Sequence, residues 1–421
     1  MPSRHLPVRP DLDQLRHQAK DLLRAMRACD VEAVAELNAH HPDAIDPPSA
    51  KLTHAQLVLA RSYGASSWSR LVQSAKLIDA IWKDDVDAVR ALVTSNPLLI
   101  HEDARAVKSN WGPPMSYAAN LGRDRIIRML YDLGATDLEF ALQRATLQGQ
   151  IETAKLLHSL LGSPRPPEGS LGGPAYTLSA SGTGLMLDVG ARVVDADGKR
   201  LAPVDVVLET DSRNPAAKHA ILEMYVSHGL ELPDTPTMAL HRGRLDLLEE
   251  HLRRDPSVLN RRFSHFEIYP REMGCKDELD ATVGTPLGGT TLLHMCVDYD
   301  ELDIARWLIG RGADVNARSA VDADGFGGYT PLFCSVVSQP NFWMNYQSRP
   351  QVASFTELLL SHGADVNVRA SIRKRLHPGH GDSTAHEYHY VTALSWGQQF
   401  RAKVFVSDLA MRLIEAAGGR E

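Results

Sequence analysis

Cysteine is scarce in this chain. Its 421 residues hold four, Cys29, Cys275, Cys296 and Cys334, and no two form a CxxC pair. That spacing gives neither a thiolate zinc site nor a redox pair, so the four are read as reduced packing residues. Apolar runs of about eighteen residues are absent, which removes a membrane-spanning helix from the expected architecture. The opening MPSRHLPVRPDLDQ lacks the apolar centre of a secretion signal, so the expected location is the cytoplasm. No GxSxG elbow, phosphate loop or HExxH occurs, and the glycine-rich stretch 284–289 lacks the flanks of a dinucleotide site. With a net charge of −7 the chain also lacks the positive excess of a general nucleic-acid binder.

What the chain has is repetition. Gly312-Ala-Asp-Val-Asn-Ala-Arg318 and Gly363-Ala-Asp-Val-Asn-Val-Arg369 are near copies 51 residues apart (363 − 312). Each follows an apolar helical stretch, Ile304 to Ile309 in one copy and Phe355 to Leu360 in the other. A glycine at that point takes the left-handed conformation that ends a helix, and the following Asp and Asn suit a turn. The expected order is helix, turn, extended finger.

Thr291-Leu-Leu-His294 precedes the first copy and Thr330-Pro-Leu-Phe333 the second. These resemble the TPLHxA signature of the ankyrin repeat, in which a turn is joined to two antiparallel helices. Thr caps the first helix, Pro fits its first turn and Leu faces the stack. The resemblance implies an all-α ankyrin-repeat solenoid, with His294 bridging neighbouring finger backbones. The whole chain is similar to multi-repeat ankyrin proteins of bacteria, most clearly from Thr235 to Gly419.

Weaker copies extend toward the N-terminus. Pro113 to Gly122 fits the first-helix pattern, and Phe140 to Gly149 repeats it. Residues 22–45 and 77–100 match at an offset of 55 (80 − 25 for Ala80 and Ala25), pairing Asp30 with Asp85, Leu37 with Leu92 and Pro42 with Pro97. Ala239 to Leu248 belongs to the same subtype.

The expected organisation is a flexible tail at 1–10, a helical N-terminal cap with a degenerate repeat at 11–72, and ankyrin-like repeats at 73–162. A linker with degenerate repeats follows at 163–233, and clear repeats with long fingers at 234–421. A terminal cap is needed because the outer face of a stack meets water. In the degenerate part, 185–191 and 220–229 are expected as second helices.

Three insertions depart from the repeat, at 256–290, 339–351 and 370–390, and long connections of this kind usually have a role. The first holds His265, Phe266, Tyr269, Arg271 and Cys275. The second carries Phe342, Trp343 and Tyr346, aromatic anchors for a partner or ties that hold the loop to the stack. The third carries Arg373, Lys374 and Arg375, an anion-attracting run or a solvated one. It also holds His377, His380, His386 and His389, readable as ligands of a divalent metal or as a polar finger without a cofactor. Asp298, Tyr299, Asp300 and Glu301 mark a helix–helix turn; Asp298 and Tyr299 join the candidate binding residues, while Asp300, where the family places Gly, is a turn residue or, with Asp298 and the four histidines, a candidate of an enzymatic site.

Function follows from the departures. The resemblance implies an interaction protein whose concave groove, shaped by the three fingers, binds a protein partner, with no nucleic acid or membrane involved. The alternative is a metal-assisted or acid/base enzyme, or a small-molecule sensor, with a pocket under the same fingers. No catalytic residue is assigned, since residues gathered across repeats leave no local signature.

Overall fold

Cys29 and Asp84, one repeat apart at the offset of 55, share a left-handed backbone, with φ of 56° and 57°. Each joins two helices: Leu12–Arg27 to Val31–His40, and Trp68–Trp82 to Val86–Ser95. The residue that follows, Asp30 or Asp85, caps the second helix by accepting from the amide of Ala33 or Ala88 at 3.0 Å. Gly122, Gly149, Gly243 and Asp300 stand at the same point of later repeats, with φ between 62° and 69°. A second set, Gly134, Gly229, Gly312, Gly363 and Gly418, ends second helices at φ between 83° and 95°. Position in the repeat, more than residue type, sets the turn. Cys29 is therefore an exposed turn residue and not a packing group, whereas Cys275, Cys296 and Cys334 are buried as expected.

The computed structural model describes residues 4, 6–106, 109–210, 212–276, 284–338, 352–375 and 384–421. Among them are 22 α-helices and one two-stranded sheet, an all-α architecture of successive helix pairs with a β-hairpin finger. No described helix is long and apolar enough to cross a membrane. The chain divides into two units, Met1–Pro164 and Arg165–Glu421.

In the first unit, Leu15, Ala19, Leu22 and Met26 form the buried face of Leu12–Arg27 against Val58 and Leu59 of Leu52–Ser62. The described part of the expected tail is not loose. Leu6 is buried, Arg4 pairs with Glu36 at 2.7 Å, and the Tyr117 hydroxyl donates to the Val8 carbonyl at 2.8 Å.

The second unit contains six successive helix pairs. Two fall in the most degenerate stretch, Gly172–Tyr176 with Ala180–Asp188 and Val204–Glu209 with Pro215–Ser227. Four follow: Pro236–His241 with Leu245–Arg254, Leu292–Asp298 with Leu302–Gly310, Pro331–Val336 with Ser354–Ser361, and Ala393–Gln399 with Asp408–Ala416. First helices are sandwiched between neighbours, so all residues of Leu292–Asp298 and Pro331–Val336 are buried. Second helices bury a stripe, as Ile304, Ala305 and Leu308 do in Leu302–Gly310. Each buried leucine contributes about 2 kcal/mol of transfer free energy, and in a stacked array that gain arises at the contacts between repeats.

His294 makes the bridge expected of it. Its Nδ1 faces the Thr291 hydroxyl at 2.9 Å and its Nε2 the Tyr329 carbonyl of the next finger at 3.2 Å. The fingers are also joined by backbone, Ala320 N–H to Gly289 O at 2.8 Å and Gly327 N–H to Ser371 O at 2.7 Å. The last finger is an antiparallel hairpin, β1 Ala370–Arg375 with β2 Ala385–Val391, in which Ile372 faces Tyr388 and Lys374 faces His386.

Candidate functional site

Backbone pairing of three fingers creates a groove of about 510 Å³ on their surface. Its floor is the turn Asp322–Gly328. Asp322 Oδ1 accepts from the amides of Asp324 and Phe326, both at 2.9 Å, which curls the finger tip and seats the largely buried Phe326 in the groove lining. Gly327 has φ of 128°, and a β-carbon there would collide with the Ala320 carbonyl. Only glycine closes this turn.

Arg373 of β1 lies over Phe326, its guanidinium carbon 4.1 Å from the ring centroid. It donates to Asp324 and to Glu387, both at 3.0 Å, and the Asp324 hydrogen bond is the largest influence holding its pKa above the usual arginine value. The neighbouring finger supplies His265, whose Nε2 meets the Lys276 carbonyl at 2.8 Å and whose ring lies 5.0 Å from that of Tyr269. The groove thus combines an aromatic floor, an Arg–carboxylate network and an imidazole, which suits recognition of a polypeptide with apolar and charged side chains.

Of the residues singled out in the sequence, Arg373 lines this groove and Arg375 stands at the far end of β1, opposite Ala385. His389 approaches Phe326 at 5.2 Å and Glu387 at 3.5 Å. His386 is three residues away on the same strand, and side chains alternate along a strand, so the two imidazoles face opposite sides of the hairpin. His377, His380, Phe342, Trp343 and Tyr346 lie outside the described residues.

Asp298 and Tyr299 are interior instead. Asp298 ends Leu292–Asp298 and accepts at Oδ2 from Arg213 at 2.9 Å, both side chains being almost wholly buried. Glu301, two residues past Tyr299, takes Lys218 at 2.9 Å and His219 at 2.7 Å. Arg213 and Lys218 both lie over the Tyr299 ring, 4.4 and 4.2 Å from its centroid. The Tyr299 hydroxyl donates to the Leu208 carbonyl at 2.7 Å and lies 2.8 Å from the Tyr269 hydroxyl.

Burial opposes the charge on Arg213, but Asp298 and the tyrosines more than restore it, so its pKa ends up raised. Burial prevails at Lys218 and lowers its pKa, although Glu301 opposes the change. Burial also works against the Glu301 carboxylate, but Lys218 and His219 overcome it and hold its pKa down. Buried His241 is pushed well down, and its Nε2 meets the Ile268 carbonyl at 3.0 Å. Two cations matched to two carboxylates inside the stack tie Arg213 and the helix Pro215–Ser227 to the helix pair at 292–310, a structural use of charge.

Phe326, Asp322 and Gly327 are groove residues that the sequence reading passed over. Their signal is the Asp-Gly-Phe-Gly-Gly run at 324–328, which begins six positions (324 − 318) beyond the end of the first heptapeptide.

Residues 288–320, from the glycines before Thr291 to the finger after Gly312, match the ankyrin repeat family model. No curated protein matches the chain. Among solved structures, the human ASB11 ankyrin repeat domain aligns at 16% identity over 73% of this chain and 99% of its own, with a TM-score of 0.25. The matched segment is one ankyrin repeat, and a helix pair turned on a left-handed residue recurs elsewhere among the described residues.

Proposed function

We propose that this protein binds a protein partner along the finger groove, with His265, Phe326 and Arg373 and their described neighbours on the three fingers forming one recognition surface. Ankyrin repeats are generally protein–protein interaction modules. The observation that carries the finer reading is the contact of Phe326 with both Arg373 and His389, on fingers joined by backbone hydrogen bonds. Such a surface loses little entropy on binding, and an aromatic flanked by a cation is a common interface anchor.

A photo-reactive amino acid at Ser371, in the groove, and another at Arg306, on the outer side of a second helix, test this. A partner cross-linked from Ser371 and not from Arg306, and lost on Phe326→Ala, is the expected result. Equal labelling from both positions would overturn the groove reading.

A further inference from the structure

Beside the groove, the fingers carry an ordered row of positive charge. The sequence Asn-x-Arg recurs at 260–262, 316–318 and 367–369, once at the base of each finger. The asparagines join the repeats. Asn260 Oδ1 accepts from the Asp314 amide at 2.9 Å, Asn316 Oδ1 from the Asp365 amide at 2.7 Å, and Asn367 Oδ1 from the Arg420 amide at 2.9 Å. Asn316 Nδ2 also donates to the Gly363 carbonyl at 3.0 Å, and Asn367 Nδ2 to that of Gly418 at 3.3 Å.

The arginines two residues on are exposed and form a ladder of their own. Arg262 Nε donates to the Arg318 carbonyl at 2.7 Å, Arg318 Nη2 to the Arg369 carbonyl at 2.6 Å, and Arg369 Nη2 to the main-chain oxygen of Glu421, the last residue, at 2.8 Å. A carbonyl orients a guanidinium without neutralising it. None of the three has a side-chain carboxylate partner among the described residues, and Arg262 and Arg318 have no carboxylate partner there at all, whereas Arg242, Arg244, Arg254, Arg306 and Arg311, on or beside the helices, all do. The nearby Asp314 and Asp365 each use an oxygen on their own turns, accepting from the Asn316 and Asn367 amides.

All three arginines line one cleft of about 520 Å³, closed on one side by the Gly325–Gly328 turn and on another by Tyr390. Tyr390 is 76% exposed with φ of 53°, and Arg369 Nη1 donates to its carbonyl at 2.8 Å. Arg262 and Arg318 also border an adjoining cleft of about 630 Å³. Three oriented guanidiniums in line, with spare donors and an aromatic edge, are equipped for bidentate capture of carboxylates.

We propose that Arg262, Arg318 and Arg369 form a docking strip for an extended acidic segment of a protein partner. A polypeptide fits better than a nucleic acid. The strip is one residue wide, Asp314, Asp322, Asp324 and Asp365 stand on the same fingers, and the net charge of −7 opposes a long polyanion. The strip does not depend on the groove reading, although Val321, Gly327 and Ser371 border both clefts.

The test uses the full chain and a short labelled peptide of alternating Glu and Ser, with the Gln–Ser peptide and a single-stranded oligothymidine of equal length as comparators. The Glu–Ser peptide should bind most tightly, weaken as salt is raised, and lose about tenfold in affinity with each of R262E, R318E and R369E. R262K, which keeps the charge and loses the bidentate fork, should bind more weakly than the parent protein and more tightly than R262E. Arg262 makes one side-chain bond, so R262E keeps the test decisive if R318E fails to fold. Equal binding of the Gln–Ser peptide, tighter binding of the oligothymidine, or unchanged affinity in R262E and R369E would overturn the proposal. The Ser371 cross-link with its Phe326→Ala control would still stand in that case, so the two readings fail separately.

Discussion

Arg213 and Asp298, 85 residues apart in sequence, meet at 2.9 Å with side chains only 2% and 0% exposed. Their pairing fixes the segment before Pro215–Ser227 to the end of Leu292–Asp298, the first helix of the repeat that matches the family model. Asp298→Ala leaves the Arg213 charge buried and unopposed, and should destabilise the second unit by about 3–5 kcal/mol. The double change Arg213→Met with Asp298→Leu should recover most of that loss, read from urea midpoints of the single and double variants. A double variant no more stable than Asp298→Ala would show that the pair does not act as a unit.

His294 makes stability depend on pH. Burial, only partly offset by its bond to the Tyr329 carbonyl, lowers its pKa from 6.5 to about 4. Between those values the unfolded chain binds the proton and the folded one does not, so stability falls as pH drops below 6.5 and levels off near 4. The loss amounts to about 3 kcal/mol. His294→Gln should flatten this part of the profile while lowering stability at neutral pH, both measurable by denaturant titration across the range.

Gly327→Ala should remodel the finger tip. The positive φ and the collision with the Ala320 carbonyl together cost about 1–3 kcal/mol, taken up by opening the Asp322–Gly328 turn. Amide exchange should speed up at Gly327 and Ser371, and Ser371 cross-linking should fall. Unchanged protection at those amides would show that the turn tolerates the methyl group.

Cys29→Gly should be neutral to stabilising, by up to about 1 kcal/mol, because the left-handed strain relieved slightly exceeds the entropy glycine adds to the unfolded chain. The side chain is exposed, so no packing is lost. A fall in thermal midpoint of several degrees would mean that the thiol has contacts of its own.

Much of this architecture can be read from local patterns, because a repeat writes its turns into residue type. Gly312 and Gly363 as helix stops, Thr291 with His294 as cap and bridge, and the alignment of Asp30 with Asp85 need only neighbours along the chain. Asp298 and Tyr299 were harder to place. A turn motif looks exposed in sequence, and nothing near position 298 announces that Arg213 and Lys218 arrive from two repeats earlier to bury it. The histidines show the same limit, since the side of the hairpin taken by His386 or His389 depends on strand pairing, not on their spacing.

The sequence by itself determined the repeat, the helix stops and caps, and the recurrence of Asn-x-Arg, since each follows from backbone preference or from a spacing visible along the chain. Tertiary structure alone decided which charges are buried and paired, which remain unneutralised on the finger row, and where Phe326 stands. Those outcomes depend on how one repeat is stacked on the next, and the free energy of a charge is set by the groups and the water that stacking places around it.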